Sequence, residues 1–461
     1  MKTASASPDD APNLFLGIAA RPDDTVAGWR DGVPLPHGQW MARMRAWAAL
    51  GRRSPGSRIA LFHDDSLEFA AALVGAWSSG KTVWLMADTL PASCAALARE
   101  VDAFWGGFPA ALAPLLPAGD DGWKGAIAAP AHDHPALVVF TSGSTGAPVA
   151  IPKTLVQLTS EVVALERQFG AGLGQAAVLS TVTHQHIYGL LFRILWPLAA
   201  GRPIHASRHE FPETLAPALA AGPCLLLASP AHLKRLPAHL DWTGGARMLR
   251  AVFSSGGMLE QDACAHAAGL LDHAPIEVYG SSESGGVAWR RQTHGPAWTP
   301  LPGVYWRALA DGRLAVRSPY AGSDDWLPLA DLVEAAGDAR FLLRGRADRI
   351  VKIEEERISL DALETVLLAT GLVREVRLIP TDAGGRVALA GFVLPSDAGR
   401  ALLAGDGKRA MNARLRAALA ACAEAVALPR RWRYLDAWPV NPQGKTTLAL
   451  LCALLDDDPA S

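Results

Sequence analysis

Blocks of apolar residues alternate with segments of helical spacing over the first three quarters of the chain. The earliest clear case begins at Arg58, where the apolar run "RIALF" is followed by the helical pattern "SLEFAAALVGAWSSG" and then by the apolar run "TVWLM". Strand, helix, strand is the unit of a parallel sheet covered by helices. Further apolar runs that predict strands lie at residues 136–140, 224–228, 250–253 and 276–279. The pattern therefore predicts an α/β fold.

A helix is predicted directly after Thr154. Apolar residues recur there at steps of three and four, which places them on one helix face: Leu155, Leu158, Val162, Leu165 and Phe169. Thr154 and Gln157 have the spacing of a capping box, in which each residue's side chain bonds the other's backbone N–H.

The pattern changes after about residue 345. Short charged strands follow, with helices predicted around residues 359–369 and 412–426. The 461 residues exceed the roughly 250–300 at which a single core stops growing. The sequence therefore predicts a large N-terminal region, residues 1–345, of parallel and mixed sheets covered by helices. A hinge joins it to a small α+β C-terminal domain, residues 346–461.

Composition narrows the class of protein. Hydrophobic residues make up 50% and charged residues 19%, as in well-packed globular proteins. With 43 basic and 45 acidic residues the net charge is −2, so no nucleic-acid partner is expected. The cysteines are scattered without a CxxC pair, which predicts neither a disulfide framework nor a zinc site. No segment has the apolar length of a signal peptide or a membrane span. We expect a soluble, cytoplasmic protein without stable membrane insertion.

The stretch "VVFTSGSTGAPVAIPK" at residues 138–153 runs from a predicted buried strand into hydroxyls and glycines. Ser142, Ser144 and Thr145 offer hydroxyl donors, and Gly143 and Gly146 let the backbone wrap closely around an anion. The spacing is not that of a Walker loop. Taken alone, the segment fits either a phosphate cradle or an ordinary polar surface loop.

Two other predicted strands also end in small polar residues. The strand at 276–279 ends at Tyr279 and continues into "GSSE", residues 280–283, and the strand at 250–253 continues into "SSGG", residues 254–257. An aromatic ring can stack on a base, a hydroxyl can reach a phosphate, and a carboxylate can bind Mg²⁺. Ligands of open α/β sheets bind at the carboxyl ends of strands, so these three loops could line one crevice.

Two later segments carry candidate charges. "GRADRIVKIEEERIS" places Arg346 and Asp348 where the pattern changes, and "PVNPQGKTT" places Lys445 after Gly444 in a predicted turn. A lysine in such a turn is normally solvated, but over a phosphate it can neutralise developing negative charge.

Together and in this order, these motifs resemble those of the adenylate-forming superfamily, which includes acyl-CoA synthetases, aryl-acid ligases and stand-alone adenylation domains. The resemblance covers about residues 58–445. In the family, the first motif is a flexible loop that holds the β- and γ-phosphates of ATP. That role would fall to Thr141, Ser142, Gly143, Ser144, Thr145 and Gly146.

The resemblance implies the other nucleotide contacts. Tyr279 would stack on adenine, with Gly256 and Gly257 as the opposite wall and Gly280 beside it. Ser282, where the family usually has threonine, would contact the α-phosphate, and Glu283 would bind Mg²⁺. Asp331 and Arg346 would bind the ribose, although the usual Thr-Gly before this aspartate is Leu-Ala here. Asp348 would be the hinge, and Lys445 would bridge the carboxylate and the α-phosphate. Lys445, Ser282 and Glu283 would thus be the catalytic residues.

The implied reaction has two halves. A carboxylic acid attacks ATP to give an acyl-adenylate and pyrophosphate, with Mg²⁺ as cofactor. The small domain then rotates, and the thiol of CoA or of a carrier protein's phosphopantetheine takes the acyl group. Catalysis of this chemistry depends mainly on positioning the reactants and on neutralising charge.

Two departures from the family pattern bear on these roles. Val149 stands where the family has a lysine after the phosphate loop, and Lys153 is a candidate substitute. Glu355 stands where the family has glycine along the pantetheine path, which makes an acyl-carrier protein a candidate acceptor beside free CoA.

The segment "THQHIYGLLF" resembles the family's acyl-pocket lining. His186 and Gly189 match its pattern, and Tyr188 and Ser255 are added as pocket residues. An amino-acid substrate would need a carboxylate for its ammonium group, and the aspartate of adenylation domains is absent. His184 and His186 could also suggest a metal pair, but no third ligand is near. Trp289 with Tyr188 and His186 could flank an aromatic ring or an alkyl chain.

The motifs look most like those of ligases from bacterial aryl-polyene pigment pathways, which implies a hydroxybenzoate-type acid. The alternatives are a fatty acid, activated for CoA or a carrier protein, and a non-catalytic nucleotide- or acyl-binding protein of the same fold. A dehydrogenase is disfavoured because no predicted strand leads into GxGxxG with an acidic residue downstream.

Overall fold

The computed structural model describes residues 14–86, 88–118, 125–142, 148–353, 356–382, 387–420, 428–441 and 446–456. Thr141 and Ser142 end a described strand, whereas Gly143, Ser144, Thr145, Gly146, Glu355 and Lys445 lie outside the described residues. Within the described ranges, no helix is long and apolar enough to cross a bilayer.

The strands lie as follows: β1 Val26–Arg30, β2 Val33–Pro36, β3 Arg58–Phe62, β4 Thr82–Leu85, β5 Ala103–Gly106, β6 Pro135–Ser142, β7 Pro148–Thr154, β8 Ala177–Ser180, β9 Ile204–His205, β10 Cys224–Ala228, β11 Leu249–Ser254, β12 Ile276–Ser281, β13 Gly285–Arg290, β14 Thr299–Pro300, β15 Tyr305–Ala308, β16 Arg313–Arg317, β17 Leu327–Ala335, β18 Phe341–Arg346, β19 Ile350–Ile353, β20 Glu356–Ser359, β21 Val373–Asp382, β22 Val387–Pro395 and β23 Arg431–Tyr434.

The helices lie as follows: α1 Leu14–Ala19, α2 His37–Arg53, α3 Ser66–Ser78, α4 Pro91–Leu97, α5 Leu155–Phe169, α6 Ile187–Gly189, α7 Trp196–Ala200, α8 Pro212–Ala220, α9 Pro230–Lys234, α10 Thr243–Met248, α11 Gln261–Leu271, α12 Leu360–Ala369, α13 Asp397–Gly405, α14 Gly407–Leu419 and α15 Leu448–Asp456. A π-helical turn, Leu190–Leu195, connects α6 to α7.

Two sheets form the body of the large domain. The nine-stranded sheet has the order β14-β13-β12-β11-β10-β8-β9-β1-β2, and the five-stranded sheet has the order β5-β3-β4-β6-β7. Neighbouring strands are parallel from β12 to β1 in the first sheet and from β5 to β6 in the second. The parallel strands of each sheet therefore end at a common edge, where the predicted crevice belongs.

Helix α3 packs between the two sheets. It contacts β3 and β4 of one sheet and β9 of the other, and every residue from Ser66 to Trp77 except Glu68 is buried. A helix that is apolar on all sides is stable only inside a core, which explains why "SLEFAAALVGAW" lacks a polar face.

The C-terminal region has its own core. The β19–β20 hairpin and the sheet β21-β22-β23 pack with α12 and α14 around buried residues such as Ile358, Leu367, Leu415 and Trp432. The predicted α/β fold, with a large N-terminal domain and a smaller C-terminal one, is confirmed. The boundary at residues 345 and 346 stays a prediction.

One predicted helix begins earlier than predicted, and residues 421–426 of its predicted range lie outside the described residues. The helix expected around 412–426 is α14, which begins at Gly407 and ends at Leu419, and α13 precedes it. The two helices are joined at Gly407, whose φ of 78° breaks the helical path. Apolar spacing alone does not reveal such a break.

Candidate active site

A cavity of about 710 Å³ opens where the parallel strands of the large sheet end. Thr181 after β8, Ser229 after β10 and Ser255 after β11 line it, together with Gly280 of β12. Val139 and Phe140 of β6 form the part of the cavity wall that comes from the five-stranded sheet. The structure thus brings the loops after β11 and β12 to one crevice, together with the strand that leads into the first motif.

The predicted acid-pocket residues line this cavity: His186, Tyr188, Gly189 and Ser255. Helix α6 begins directly after His186. A Cβ on Gly189 would lie 2.0 Å from the carbonyl oxygen of Thr183, so this position admits only glycine. The Ser255 hydroxyl donates to the Val278 carbonyl, at 2.8 Å, which ties β11 to β12 beneath the cavity.

His184, one of the two histidines considered as a metal pair and disfavoured in that role, is a core residue. Its Nδ1 accepts from the Ser66 hydroxyl at 3.1 Å, and its Nε2 donates to the His63 carbonyl at 2.8 Å. Burial lowers the pKa of His184 well below its usual value, so the ring is neutral. Both ring nitrogens are therefore in use. No group of three candidate metal ligands occurs in the described part of the chain.

Trp289, a candidate ring for flanking the acid, packs edge-on against Phe169 instead, with ring centroids 5.6 Å apart. The aromatic side of the cavity is formed by Tyr188 and Phe192, whose centroids lie 5.0 Å apart. Burial raises the pKa of the Tyr188 hydroxyl.

Gln185 is a cavity residue that the sequence reasoning missed. Its side chain is only 4% exposed, and its amide Nε2 donates to the His63 carbonyl at 3.2 Å. This contact fixes the orientation of the amide, because only the nitrogen can donate to a carbonyl. The Oε1 is buried and has no hydrogen-bond partner among the described residues. Gln185 is thus a residue of the cavity lining whose buried acceptor is not used by any described residue.

Two carboxylates are found among the described lining residues, Glu161 and Glu210. Glu161 is accompanied by Lys153, with which it interacts electrostatically, and Glu210 contacts Arg208. Each negative charge is therefore matched by a cation of the protein itself.

Three residues with predicted nucleotide roles lie together beside the cavity. Asp331 pairs with Arg346 across β17 and β18, and their side chains form an ion pair at 3.6 Å. The Tyr279 ring packs against Trp298 and Phe341, with centroids 5.7 and 6.4 Å away. Burial, and then the nearby Asp331 carboxylate, raise the pKa of the Tyr279 hydroxyl. An aromatic ring with a carboxylate and a guanidinium at its edge suits a nucleoside.

The glycines after β11 leave room at the cavity wall. Gly256 has a φ of 88°, and nothing lies within 4 Å of where its Cβ would be. Gly257 and Gly280 also line the cavity. The open backbone allows a planar ligand to approach closely.

Residues 281–284 form a tight turn after β12. The Ser281 and Ser284 hydroxyls lie 3.1 Å apart, and each bonds the other's backbone N–H at 3.2 Å. This turn presents Ser282, which lines the cavity, and Glu283. Glu283 fits the predicted Mg²⁺ role because Mg²⁺ is commonly held by one or two carboxylates together with substrate phosphates.

Lys153, the candidate substitute for the family's lysine, is bonded to backbone groups of two other segments of the large domain. Its Nζ donates to the backbone carbonyls of Glu283, at 3.0 Å, and Tyr320, at 2.8 Å. The residue is 3% exposed. Lys153 therefore lies beneath the Glu283 turn.

The C-terminal domain reaches the cavity through Val440 and Asn441. Asn441 is the last described residue before the segment that contains Lys445. Asp348 lies in the single 3₁₀ turn Ala347–Arg349 between β18 and β19, where the predicted hinge belongs.

Comparison with known proteins identifies the family. Residues 105–318 match the model of the AMP-binding enzymes. A 4-coumarate–CoA ligase of Rhodobacter capsulatus is 33% identical over 68% of this chain and 76% of its own length. A probable 2-succinylbenzoate–CoA ligase of Mycobacterium tuberculosis is 27% identical over 69% of this chain and 84% of its own length.

A similar fold is found in ATP-bound MatB from Rhodopseudomonas palustris. The TM-score is 0.80 at 18% identity, over 97% of this chain and 99% of that one. The chain therefore belongs to the AMP-binding enzymes of the adenylate-forming superfamily and is an AMP-forming acid–thiol ligase.

Proposed function

We propose that this ligase activates an aryl carboxylic acid with ATP and transfers the acyl group to a thiol. The observation that carries the proposal is the cavity at the strand ends, which has an aromatic side at Tyr188 and Phe192. The carboxylates among the described lining residues are matched by cations, so this part of the wall offers no unpaired negative charge for the ammonium of an amino acid.

A ring with a hydroxyl group suits this cavity best. Gln185 lines the cavity, and its Oε1 is buried without a partner among the described residues. A small rotation of this side chain would let the Oε1 accept a hydrogen bond from a phenol, and a buried acceptor left without a partner costs free energy. The names of the 4-coumarate and 2-succinylbenzoate ligases also point to aromatic acids. These features support a hydroxybenzoate- or hydroxycinnamate-type acid, and with it the proposed likeness to aryl-polyene pigment ligases.

In the first half-reaction, a carboxylate oxygen of the acid forms a bond to the α-phosphorus of ATP, and the bond to pyrophosphate breaks. Tyr279 would hold the adenine, and Asp331 and Arg346 the ribose. Ser282 would contact the α-phosphate. Mg²⁺, bound through Glu283, would neutralise charge on the phosphates.

Lys445 would stabilise the charge that develops between the carboxylate and the α-phosphate. The position of Asn441 at the cavity supports this role, since four residues of extended chain span up to about 13 Å.

In the second half-reaction, a thiolate attacks the acyl carbonyl carbon and AMP leaves. The small domain would rotate at Asp348 so that Lys445 withdraws and the thiol can enter. CoA and the phosphopantetheine of an acyl-carrier protein are both candidates for this thiol.

Acid-dependent ATP–pyrophosphate exchange tests the proposal. The panel contains 3- and 4-hydroxybenzoate, cinnamate, 4-hydroxycinnamate, a medium- and a long-chain fatty acid, and two amino acids. We expect exchange with the hydroxylated aryl acids. Exchange with fatty acids only would overturn the aryl assignment. ATP binding without exchange across the panel would favour the non-catalytic alternative. CoA and a phosphopantetheinylated carrier protein are then compared as acceptors of the activated acid.

A further inference from the structure

A stripe of three buried polar side chains extends along β7 and α5, and its last member, Glu161, lines the cavity. Lys153, Gln157 and Glu161 are spaced four residues apart and are 3%, 8% and 4% exposed. Buried polar groups are costly unless they are hydrogen-bonded, so each of these side chains needs a partner inside the protein.

The partners are backbone groups of two distant loops. Lys153 donates to the carbonyls of Glu283 and Tyr320. Gln157 donates to the carbonyl of Ala321, and its Oε1 accepts from Thr154 N at 2.8 Å. These hydrogen bonds therefore hold residues 320–321 and the turn at Glu283 against the start of α5.

Glu161 holds the other end of the same turn. Its carboxylate accepts from the N–H of Gly286 at 2.6 Å. A Cβ on Gly285 would lie 2.8 Å from Glu161 Oε2, and one on Gly286 would lie 2.9 Å from Oε1. The two glycines thus let the carboxylate sit directly against the backbone, and the turn is fastened at both Glu283 and Gly286.

The two charges of the stripe compensate one another. Burial lowers the pKa of Lys153, and the Glu161 and Glu283 carboxylates oppose this. Burial raises the pKa of Glu161 to about 7, and the Gly286 hydrogen bond and the Lys153 charge oppose this. Removal of either charge leaves the other buried without its counter-charge.

Lys153 also connects the turn to the β6–β7 hairpin. It lies on β7, which returns from that loop and pairs with β6, Thr141 lying opposite Val149. One buried ammonium therefore joins the hairpin that carries the loop to the turn that carries Glu283.

We propose that Lys153 and Glu161 are positioning residues that clamp the 281–286 turn, and so place Ser282 and Glu283 for MgATP. The inference rests on the proposed function through the Mg²⁺ role of Glu283. It assigns the lysine a structural contact with the turn in place of a direct contact with phosphate.

The test is a double-mutant cycle between Lys153→Met and Glu283→Gln, with Mg²⁺-dependent ATP binding measured by calorimetry. If Lys153 acts through Glu283, Lys153→Met weakens Mg²⁺-dependent binding by about tenfold in the wild-type background, as for loss of a hydrogen bond to a charged group. It then has little further effect in the Glu283→Gln background. Lys408→Met, at an exposed residue of α14, is the matched control and should bind as the wild type does.

Additive effects in the cycle would show that Lys153 contacts the nucleotide directly and would overturn the clamp. Unchanged Mg²⁺ dependence in Lys153→Met would overturn it as well. If Lys153→Met does not fold, Glu161→Gln replaces it, since the amide keeps an acceptor for Gly286 N and removes only the charge. Absence of Mg²⁺-dependent ATP binding in the wild type would instead count against the proposed function.

Discussion

At the scale of single residues, Gln185 distinguishes the cavity from a plain apolar pocket. Its amide donor is already bonded to His63, while its acceptor is buried and unpaired. A site built to bond a substrate hydroxyl rejects an analogue that lacks it, because the buried partner is then left unpaired. Gln185 is therefore expected to set the preference for hydroxylated acids.

Gln185→Met keeps the approximate length of the side chain and removes the acceptor. We expect the kcat/KM for 4-hydroxycinnamate, divided by that for cinnamate, to fall by about tenfold. If the enzyme turns over another acid, the same ratio is measured for that acid with and without its hydroxyl group. The measurement is acid-dependent pyrophosphate release. Gln175→Met, at an exposed position, is the control. An unchanged ratio would show that the hydroxyl is recognised elsewhere.

Sequence reasoning located the residues whose signal is a local motif, but it did not find the contacts of residues whose partners are remote, including those of Lys153. Tyr279, Asp331 and Arg346 were placed by short motifs, and the structure brings them together. Lys153, Glu161 and Gln185 bond backbone groups that are 130, 125 and 122 positions away. Lys153 and Glu161 did leave a signal in the sequence, because they are spaced four residues from Gln157 beside an apolar helix face. Nothing local identified the loops that this stripe bonds.

At the scale of elements, α5 is docked to α7 by a partly buried ion pair. Arg202, only 3% exposed in its side chain, bonds both carboxylate oxygens of Glu166 at 2.6 and 2.9 Å. Trp196 Nε1 donates to the same carboxylate at 2.6 Å. Burial opposes ionisation of Glu166, but the hydrogen bonds from Arg202 and Trp196 outweigh it and lower the pKa of this carboxyl.

Glu166→Gln should destabilise the fold by about 3 kcal/mol at neutral pH, the lower end for breaking a buried pair, because Arg202 loses its counter-charge. A glutamate in an unfolded chain has a pKa of about 4.3. The stabilisation by the ionised group is therefore complete above that pH and is lost as the pH falls through the lower folded-state value.

Urea unfolding of the wild type and of Glu166→Gln between pH 3 and pH 8 measures this difference. A gap between the two proteins that stays constant over the whole range would contradict the role of the charge. Glu210→Gln, at an exposed surface pair, serves as the comparison and should change stability little.

The strands and helices that the sequence predicted well are those with an uninterrupted period. The strand Cys224–Ala228 and the helix Leu155–Phe169 with its capping box were found with their bounds. α13 and the start of α14 were missed because the break at Gly407 depends on one backbone angle. Sheet order is likewise invisible in the sequence, since it depends on which strands pair across the fold.

At the scale of the whole molecule, the two domains meet at the active site. The cavity is built by strand ends of the large domain, and Asn441 of the small domain lines it. The proposed catalytic lysine follows four positions later in the chain. Adenylation should therefore depend on this arrangement of the domains, whereas binding of ATP to Tyr279, Asp331 and Arg346 should not.

Lys445→Ala should lower acid-dependent pyrophosphate exchange by about a hundredfold or more, as for loss of one group that stabilises transition-state charge. ATP binding, measured by calorimetry, should change little, and thiol transfer from supplied acyl-adenylate should persist. Exchange at the wild-type rate would refute the role assigned to this lysine.

An exposed ion pair connects the two domains near the cavity. Lys234 at the end of α9 lies 3.4 Å from Glu375 of β21, and the same carboxylate accepts from Trp438 Nε1 at 2.7 Å. Trp438 lies three positions before Asn441. The contact therefore favours the arrangement in which Asn441 reaches the cavity, and it must break if the small domain rotates.

Glu375→Gln removes the charge that faces Lys234 and keeps an acceptor for Trp438. An exposed pair contributes up to about 1 kcal/mol, so pyrophosphate exchange should slow by up to about fivefold. Thiol transfer from supplied adenylate should keep its rate or rise, because the rotated arrangement no longer competes with this contact. Glu260→Gln removes the other carboxylate beside Lys234, at 3.0 Å within the large domain, and should leave both half-reactions unchanged. If Glu375→Gln slows both half-reactions equally, the pair stabilises the small domain and does not select between arrangements.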